Sequence, residues 1–409
     1  MRTDAEQRAL AHAGVPVAGG LSVVVNDRPL LGRRTGVGRY LEGVLSAWPG
    51  GVDRPRGVVG GLGDSVRARP GFGGVGSLAP MQPCPLSELR PRADGRIGVG
   101  RGLRRKGYAL AARSALRVKR QPGSVVWEPN HHPLVESRPD SAVVTTIHDL
   151  SVVTRPEFHP PDRVRAWERA LARTLDRTAR FIAVSHATAN AIERELGVAS
   201  ERIDAIPLAS RYDGRPAGWG RAACRAALGL DPDAGVVVHL GTIEPRKNIG
   251  GLLDSWRVVL EREPRAELVL VGGAGWGSES FWSGLTGHPV AERVRCTGYL
   301  DDARTLALLI AADLVVCPSW LEGFGLPVVE AASVGTPVLV SRDPALVEAY
   351  QRVGGDPEDA LDAWDTPGWG RAIASVLQGD VPTVVAPDRG WEDVARGHVK
   401  AFASAARDG

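Results

Sequence analysis

CPSWLEGFGLPVVEAASVGTPVLVS, residues 317–341, predicts the end of one buried strand, a glycine-rich loop, a helix and a second strand. Within the loop, Gly323 and Gly325 lack side chains, so their backbone N–H groups can approach a ligand closely. Pro327 suits the first helical position, and the helix that it starts turns its positive end toward the same loop. The segment therefore predicts parallel α/β construction with a ligand site where the strand runs into the helix.

A second strand and loop lie far upstream, in VVVHLGTIEPRKN at residues 236–248. The pattern predicts a buried strand that runs into a loop carrying Arg246 and Lys247 side by side, followed by a helix. Lysine is scarce in this chain, so a lysine beside an arginine at a strand exit predicts anion binding. The alternative is a solvated surface pair, which is common and contributes little.

Short apolar runs alternate with helical patterns along the chain, which is typical of parallel α/β proteins. Strands are predicted at 21–25, 124–128, 142–147, 180–185, 235–240, 266–273, 293–298, 314–319 and 336–341. Residues 209–220 are rich in Gly and Pro and lack any period, so they predict a linker between two doubly wound domains. Residues 51–100 give weak signals, and we predict no element there.

The expected domains are residues 1–210 and residues 211–387, facing each other across a cleft. A last helix, from about residue 390 to 406, carries an apolar stripe that must be buried against another element. We therefore expect residues 388–409 to pack back on the first domain.

Composition narrows the classes of function. The chain has 409 residues, 43% hydrophobic and 24% charged, which is a globular composition too long for one core. Its formal net charge of +3 argues against a dedicated nucleic-acid binder but permits an anionic ligand. The cysteines show no CxxC spacing, which argues against zinc and a disulfide scaffold and favours the reducing cytoplasm. Because the N-terminus lacks an apolar run and no apolar stretch reaches about 20 residues, we expect a soluble or peripheral protein.

Glu322 and Glu330 flank the glycine-rich loop, and carboxylate oxygens hold ribose and hexose diols well. Taken singly, Glu330 could complement its helix dipole and Glu322 could be a solvated loop acid. Together with the GFGLP between them, the pair resembles the signature of the retaining glycosyltransferases of family 4, which have the two-domain GT-B fold. The segments that resemble this family, in the family's order, also include 35–45, 145–160, 181–209, 241–248, 268–277 and 296–319.

The resemblance implies a role for each matching residue around a nucleotide-diphosphate sugar. Lys247 and Arg246 would bind the diphosphate, and Glu330 would bind the ribose. Glu322 would bind the transferred hexose. The loop residues that would join it are Gly323, Phe324, Gly325 and Leu326. The base would lie near residues 297–299, which end at Tyr299.

The resemblance also implies that residues 1–210 form the acceptor side of the cleft and residues 211–387 its nucleotide-sugar-binding side. Two features of the first half complete this cleft. Gly36 and Gly38 precede a predicted helix, so backbone could approach the diphosphate there; an ordinary turn is the alternative. His148 ends a predicted strand, and the resemblance implies that it lies near the anomeric carbon with Asp149 as a neighbour. A histidine satisfied within the fold is the alternative. Ser185 is expected to cap a helix.

The implied reaction breaks the bond from the anomeric carbon to the diphosphate, and Arg246 and Lys247 would meet the charge of the leaving group. Family members act without a metal, so no metal and no cofactor beyond the donor substrate are expected. The clearest DxD string, Asp231 to Asp233, is predicted in a turn before a strand, and Asp301 and Asp302 are expected to cap a helix. Retention of configuration is implied by the family alone.

Two segments depart from the family or stand apart from it. After Ser341 the chain reads RDPALVEAYQRVGGDPEDALDAWDTPGW, which leaves the packing behind the donor site open. Residues 101–120 are basic and predict an amphipathic helix. That helix would either rest on anionic lipid, making the enzyme peripheral to the inner face of the membrane, or present a solvated basic face.

Other enzyme classes are less consistent with the sequence. No GxGxxG follows the first predicted strand, and P-loop and GxSxG patterns are absent from the sequence. A sugar-nucleotide epimerase, a phosphorylase and a non-catalytic scaffold that binds a nucleotide sugar stay open as alternatives. The IHDLS and EPRKN segments resemble mannosyltransferase-type members, which makes GDP-mannose the first donor to test. The acceptor, whether a glycan, a lipid-linked sugar or a small molecule, stays open.

Overall fold

The computed structural model describes residues 21–30, 36–57, 74–81, 124–130 and 141–408. Within these ranges the strands form two separate parallel sheets. The first sheet contains β1 (Val23–Val25), β2 (Arg56–Gly57), β3 (Val125–Glu128), β4 (Ala142–Ile147), β5 (Arg180–Ala183) and β6 (Ile203–Ala205). The second contains β7 (Val236–Leu240), β8 (Glu267–Val271), β9 (Val294–Gly298), β10 (Leu314–Cys317) and β11 (Val338–Val340).

Each sheet is wound in two directions from a central strand. The strand order is β2-β1-β3-β4-β5-β6 in the first sheet and β11-β10-β7-β8-β9 in the second. In the second sheet the chain runs outward from β7 through β8 and β9, then returns to β10 beside β7 and ends at β11. Ligands of such sheets bind beyond the carboxyl ends of the strands, where the strand order reverses. That point lies between β7 and β10.

Apart from β2 and β6, the strands form because their sequences are short, largely buried runs of β-branched and aliphatic residues. All five residues of β7 are buried, and Val238 lies between Val269 of β8 and Val315 of β10 in register. A parallel sheet covered on both faces by helices has this pattern. The two sheets confirm the prediction of two doubly wound α/β domains.

The helices cover the sheet faces. In the first half they are α1 (Gly36–Ser46), α2 (Ser151–Thr154), α3 (Pro161–Arg177) and α4 (His186–Leu196). In the second half they are α5 (Arg221–Leu228), α6 (Ile249–Arg262), α7 (Glu279–Thr286), α8 (Asp302–Ala311), α9 (Leu326–Ser333), α10 (Pro344–Gln351), α11 (Thr366–Leu377) and α12 (Trp391–Asp408). Short 3-10 turns include Pro156–Phe158 and Pro245–Lys247.

All nine predicted strands are present, with ends shifted by zero to two residues. Two strands were missed. The first is β2, which lies in residues 51–100, and the second is β6, whose three residues are all partly exposed and so lack a buried run. Two details were wrong: α1 begins at Gly36, so Gly36 and Gly38 lie inside its first turn rather than before it, and Pro327 is the second residue of α9 rather than the first.

The C-terminal helix, α12, packs against the first sheet. It contacts α1, β3, β4 and β5. Phe402 is fully buried and its ring centroid lies 5.3 Å from that of Trp127 on β3. Gly43 of α1 has no side chain where the Trp391 ring lies, since a Cβ there would be 2.5 Å from the ring. The helix therefore ties the end of the chain to the first sheet, whereas the exact domain boundaries at residues 210 and 387 stay predictions.

The two sheets meet through the loops at the carboxyl ends of their strands. The carbonyl oxygen of Gly323, after β10, accepts hydrogen bonds from Ser185 Oγ at 2.6 Å and Thr188 Oγ1 at 2.9 Å, after β5. Glu348 accepts from the backbone N–H groups of His186 and Ala187 at the start of α4. Ser185 also caps α4 by accepting from the Thr188 backbone N–H at 2.9 Å, as predicted. These contacts bring the two predicted binding edges face to face.

Candidate active site

Glu322 lies at the centre of an ion-paired cluster. Its Oε2 accepts from Arg246 Nη1 at 3.0 Å, and its Oε1 pairs with Lys247 Nζ. Ser319 Oγ donates to the same Oε1 at 2.7 Å. The loop after β7 supplies the two cations and the loop after β10 supplies the acid, and these strands are neighbours. The cluster therefore occupies the point where the strand order reverses.

The charges in this cluster fix the ionisation of Glu322. Burial opposes ionisation, but the attraction of Lys247 and Arg246 outweighs it and lowers the pKa of Glu322 to about 2. Burial also opposes the charge on Arg246, yet Glu322 and Glu244 together raise the pKa of that guanidinium above its ordinary value. At neutral pH the cluster thus holds a fixed carboxylate acceptor between two fixed cations.

The glycines of the GFGLP loop are required by their surroundings. A Cβ on Gly323 would lie 1.6 Å from the carbonyl oxygen of His148, so any side chain would collide with backbone of the other half. Gly325 has a φ of 99°, in the left-handed region that favours glycine. Phe324 is buried in the core, and Leu326 is the first residue of α9. The loop backbone is thus held against the first half with its carboxylate, Glu322, at one end.

Glu330 lies four residues into α9 and is buried, with 4% of its surface exposed. Arg211 Nε pairs with its Oε1 at 2.9 Å, and Arg211 Nη1 also donates to Asp302 Oδ1 at 2.6 Å. Arg39 of α1 pairs with the same Asp302 oxygen at 3.3 Å. The predicted ribose acid is therefore held in a charged chain that crosses between the two halves.

Tyr299, at the predicted base site, is 42% exposed and lies at the end of this charged chain. Its hydroxyl accepts from Arg39 Nη2 at 3.4 Å, and the guanidinium carbon of Arg39 lies 5.9 Å from the ring centroid. Arg39 lies in the first half of α1, three residues after the exposed Gly36 and next to the buried Gly38. An exposed aromatic ring beside a cation suits a nucleobase.

His148 lies immediately after β4, at the interface between the halves. Its Nε2 and the Pro129 carbonyl oxygen are 2.8 Å apart, so Nε2 carries the proton and Nδ1 the lone pair. Burial lowers the pKa of His148 in spite of this hydrogen bond and the nearby Asp149, which keeps the ring neutral at physiological pH. The ring stands edge-on to Tyr40, with centroids 4.8 Å apart. Asp149 instead accepts from Ser151 N at 2.9 Å and from Ser151 Oγ at 2.6 Å, which fixes the start of α2.

The segment after Ser341, which left the packing behind the site open, contributes a buried acid. Asp343 caps α10 by accepting from the backbone N–H groups of Ala345 and Leu346, both at 3.1 Å. Burial, with the negative charge of Glu322, raises the pKa of Asp343 to about 7. The segment therefore places a carboxyl group that titrates near neutrality behind the acidic end of the GFGLP loop.

Several residues that complete the cluster were missed. Ser319, Arg211 and Arg39 were not predicted as site residues, although each contacts a predicted group or its partner. Arg211 lies in the predicted linker, and that linker is not a free tether, since Tyr212 and Trp219 within it are buried. Arg211 is one of three charged residues in this glycine- and proline-rich segment, with Asp213 and Arg215, so its charge alone did not single it out.

The remaining predictions fall away from the cluster or outside the described residues. Asp231 and Asp233 pair with Arg265 in the turn before β7, at the amino ends of the strands, whereas the site lies at their carboxyl ends. Asp301 caps α8 by accepting from Arg304 N at 2.8 Å, whereas Asp302 joins the interdomain chain as the first residue of α8. Residues 101–120 and Cys84 lie outside the described part of the chain. In the described ranges, no cluster of three or more His, Cys, Asp or Glu side chains forms a possible metal site.

Comparison with known proteins shows what this chain resembles. Two family models match it: "Glycosyltransferase Family 4" over residues 78–209 and "Glycosyl transferases group 1" over residues 221–351. O-antigen chain mannosyltransferase B of Escherichia coli is 34% identical over 270 residues, which are 63% of this chain and 69% of that protein. The chain belongs to the group 1 glycosyltransferases of family 4. The predicted family and the predicted enzyme class, a hexosyltransferase, are thereby confirmed.

Other relatives of this glycosyltransferase extend the comparison. D-inositol 3-phosphate glycosyltransferase of Segniliparus rotundus is 28% identical over 301 residues, which are 70% of this chain and 65% of that protein. Among solved structures, sucrose-phosphate synthase from Thermosynechococcus elongatus has a TM-score of 0.59 at 19% identity, with 95% of this chain and 94% of that chain covered. Anabaena HepE in complex with UDP has a TM-score of 0.57 at 16% identity, covering 95% of this chain and 98% of that chain. These structures show the fold and confirm the GT-B prediction.

No helix in the described part of this glycosyltransferase combines the length and the apolar composition needed to cross a bilayer.

Proposed function

We propose that this glycosyltransferase moves a hexose from a nucleotide-diphosphate sugar, with retention of configuration and without a metal, to a glycan, lipid-linked or small-molecule acceptor. The observation that carries the proposal is the cluster of Glu322, Lys247 and Arg246 at the reversal point of the second sheet. Two cations beside a carboxylate match the two parts of the donor, because the diphosphate is anionic and the sugar presents hydroxyl donors. In this proposal the cytoplasm supplies the donor.

Lys247 and Arg246 act on the leaving group. When the bond from the anomeric carbon to the diphosphate oxygen breaks, the electron pair stays on the diphosphate, and the two cations stabilise the added charge. Both cations are largely buried, with side chains 10% and 14% exposed, so solvent screens them little. Their pairing with Glu322 holds them in place before the donor arrives.

Glu322 and Glu330 hold the two sugars of the donor. Glu322 stays ionised down to a pH well below neutrality, because its pKa is lowered, and it accepts from hydroxyls of the transferred hexose. Glu330 accepts from the ribose, and the donor replaces Arg211 at one of its oxygens. Because Ser319, Lys247 and Arg246 already occupy the oxygens of Glu322, this carboxylate serves as an acceptor rather than as a nucleophile.

His148 lies at the acceptor side of the cleft in this proposal. Its neutral ring donates to the Pro129 carbonyl through Nε2, which leaves the Nδ1 lone pair to accept from a sugar hydroxyl. Tyr299 and the first turn of α1, with Gly36 and Gly38, face the base and the diphosphate. GDP-mannose is the first donor to test, since the mannosyltransferase of Escherichia coli is the relative at 34% identity.

Thermal-shift screening of GDP-, UDP-, ADP- and dTDP-sugars identifies the donor, because a ligand that binds only the folded state raises apparent stability. At a ligand concentration of about 100 times Kd the stabilisation is about 2.7 kcal/mol. The proposal expects one nucleotide to stabilise the wild type and Asp233→Ala, an exposed acid away from the site, but not Glu330→Ala.

Product analysis then separates the reactions. Transfer requires an acceptor, an epimerase forms product without one, and a phosphorylase depends on free phosphate. Glu322→Ala abolishes turnover in this proposal, whereas a non-catalytic scaffold would keep its function after the same change. A nucleotide-sugar product formed without acceptor, or phosphate-dependent turnover, would contradict transfer.

A further inference from the structure

Of the aromatic residues whose side chains the structure describes, Trp364 is the most exposed, with 74% of its surface accessible. Its ring packs against that of Trp320, with ring centroids 3.9 Å apart and planes at 48°. Trp320 is only partly exposed and the two ring planes are inclined, so the aromatic surface in water is chiefly the face of Trp364 that Trp320 does not cover. Such a face is available for a ligand to stack on. No role for either residue follows from the donor site described above.

This Trp320–Trp364 pair is tied on both sides to the loop that carries the two cations. The backbone N–H of Trp320 donates to the carbonyl oxygen of Arg246 at 2.8 Å. Asn248, next to Lys247, donates through Nδ2 to the carbonyl oxygen of Ala363 at 2.8 Å, one residue before Trp364. Trp320 also stands two residues before Glu322 in the chain. The aromatic surface is therefore fixed beside the cluster proposed to hold the donor.

The turn that presents Trp364 is rigidly built. Its backbone N–H donates to Asp362 Oδ1 at 2.9 Å, and the Asp362 carbonyl accepts from the indole Nε1 of the buried Trp369 at 3.1 Å. Asp365 caps α11 by accepting from Gly368 N at 2.9 Å. These hydrogen bonds hold the backbone that carries the exposed ring, and the ring itself packs against Trp320, which lowers the entropy lost when a ligand binds.

The chemistry of the surface identifies its occupant. A pyranose ring has one face of C–H groups, whose positive edges suit the negative face of an aromatic ring, and a rim of hydroxyls. Around Trp364 the exposed carboxylates of Asp362 and Asp365 provide acceptors for that rim. A protein partner would need a wider apolar area than one exposed ring flanked by two acids.

We propose that the Trp320–Trp364 pair is a stacking platform for a pyranose ring of the acceptor glycan, so the class of acceptor is a saccharide rather than a small non-sugar alcohol. The inference rests on the proposed function, because it adds a contact from the second domain to the acceptor of the same reaction. The platform holds the acceptor beside the donor and takes no part in bond breaking.

The test uses the full chain as wild type, Trp364→Ala and Trp364→Phe. Saturation-transfer NMR measures binding of tetraoses of mannose, glucose and N-acetylglucosamine, without nucleotide. We expect at least one tetraose to bind the wild type, Trp364→Ala to weaken it about three- to tenfold, and Trp364→Phe to stay within about twofold, since a phenyl ring still stacks. Because Trp364 is exposed, the thermal midpoint of both variants should match that of the wild type.

Two outcomes overturn the inference: no tetraose binds the wild type, or Trp364→Ala binds as well as the wild type. Self-association of the wild type that Trp364→Ala abolishes, seen by sedimentation, would assign the pair to a subunit contact and also overturn it. Binding of GDP and UDP is measured on the same proteins. If a nucleotide binds and no saccharide does, this inference fails while the donor-site proposal stands; if neither binds, both fail.

Discussion

Replacing Glu322 by Gln removes the charge at the centre of the proposed donor site while keeping the size of the side chain. In the wild type the pKa of Glu322 is lowered from 4.5 to about 2, and the side chain is 13% exposed. Each unit of pKa corresponds to about 1.4 kcal/mol, so ionised Glu322 contributes roughly 3 kcal/mol to the folded state at neutral pH. The value agrees with the roughly 3–5 kcal/mol lost when one partner of a buried ion pair is removed.

The expected result is a lower thermal midpoint for Glu322→Gln at pH 7. With about 2–4 °C per kcal/mol for a domain of this size, the midpoint should fall by roughly 6–12 °C. Scanning calorimetry, read on the transition of the second domain, measures it. The matched control is Asp233→Asn, whose carboxylate is 72% exposed and pairs with Arg265, and which should change the midpoint by less than about 2 °C.

The pH dependence of stability is a second, independent test of the stabilisation by ionised Glu322. Because the folded pKa of Glu322 is depressed, its stabilisation is present above the unfolded pKa, near 4.5, and is lost as pH falls toward 2. The gap between wild type and Glu322→Gln should therefore narrow steadily below about pH 4.5. A gap of less than about 2 °C at pH 7, or one that widens in acid, would refute the ion-pair account of the cluster.

Three further predictions concern the loop, the histidine and the last helix. Gly323→Ala should lower the free energy of unfolding by about 1–3 kcal/mol or more and reduce turnover, because its Cβ would meet the His148 carbonyl oxygen. Calorimetry and rate assays measure the two effects. The control Gly284→Ala, which has open space around its Cβ, should change neither stability nor turnover. Because the pKa of His148 is lowered, the pH–rate profile should show no ionisation of this group between pH 6.5 and 8. If the wild-type profile has a titration in that range and His148→Gln removes it, the ring is not neutral there. Phe402→Ala should cost about 3–5 kcal/mol, measured by urea unfolding, and a loss below about 1 kcal/mol would show that α12 is not part of the core.

Sequence patterns predicted the parts of this fold that depend on local chemistry. Buried strands such as Val236–Leu240 are continuous β-branched runs, and caps such as Ser185 and Asp301 use side chains that accept from the next turn. The resemblance to family 4 depended on the same local motifs. Strand β6 was missed because Ile203, Asp204 and Ala205 are partly exposed and make no apolar run.

Features that depend on distant contacts could not be predicted in this way. Arg211 meets Glu330 across 119 residues of chain, and Arg39 meets Tyr299 across 260. No spacing in the sequence encodes these pairs, because the folding of both sheets brings them together. The pairing of Glu322 with both cations was likewise not foreseen, although all three residues were predicted in the site. In the free protein both cations that await the donor are thus paired with one carboxylate.

In the proposed donor site, Lys247 and Arg246 hold the diphosphate of the donor. Isothermal titration of the nucleoside diphosphate selected by the thermal screen, into wild type, Lys247→Ala and Arg265→Ala, measures this contact. Arg265 is a matched control because it is a cation of the same domain that is 58% exposed and lies at the amino ends of the strands, away from the site. We expect Lys247→Ala to weaken binding about ten- to hundredfold, the effect of one lost charge-assisted hydrogen bond, and Arg265→Ala to leave the affinity unchanged. Equal affinities for wild type and Lys247→Ala would contradict the proposed contact.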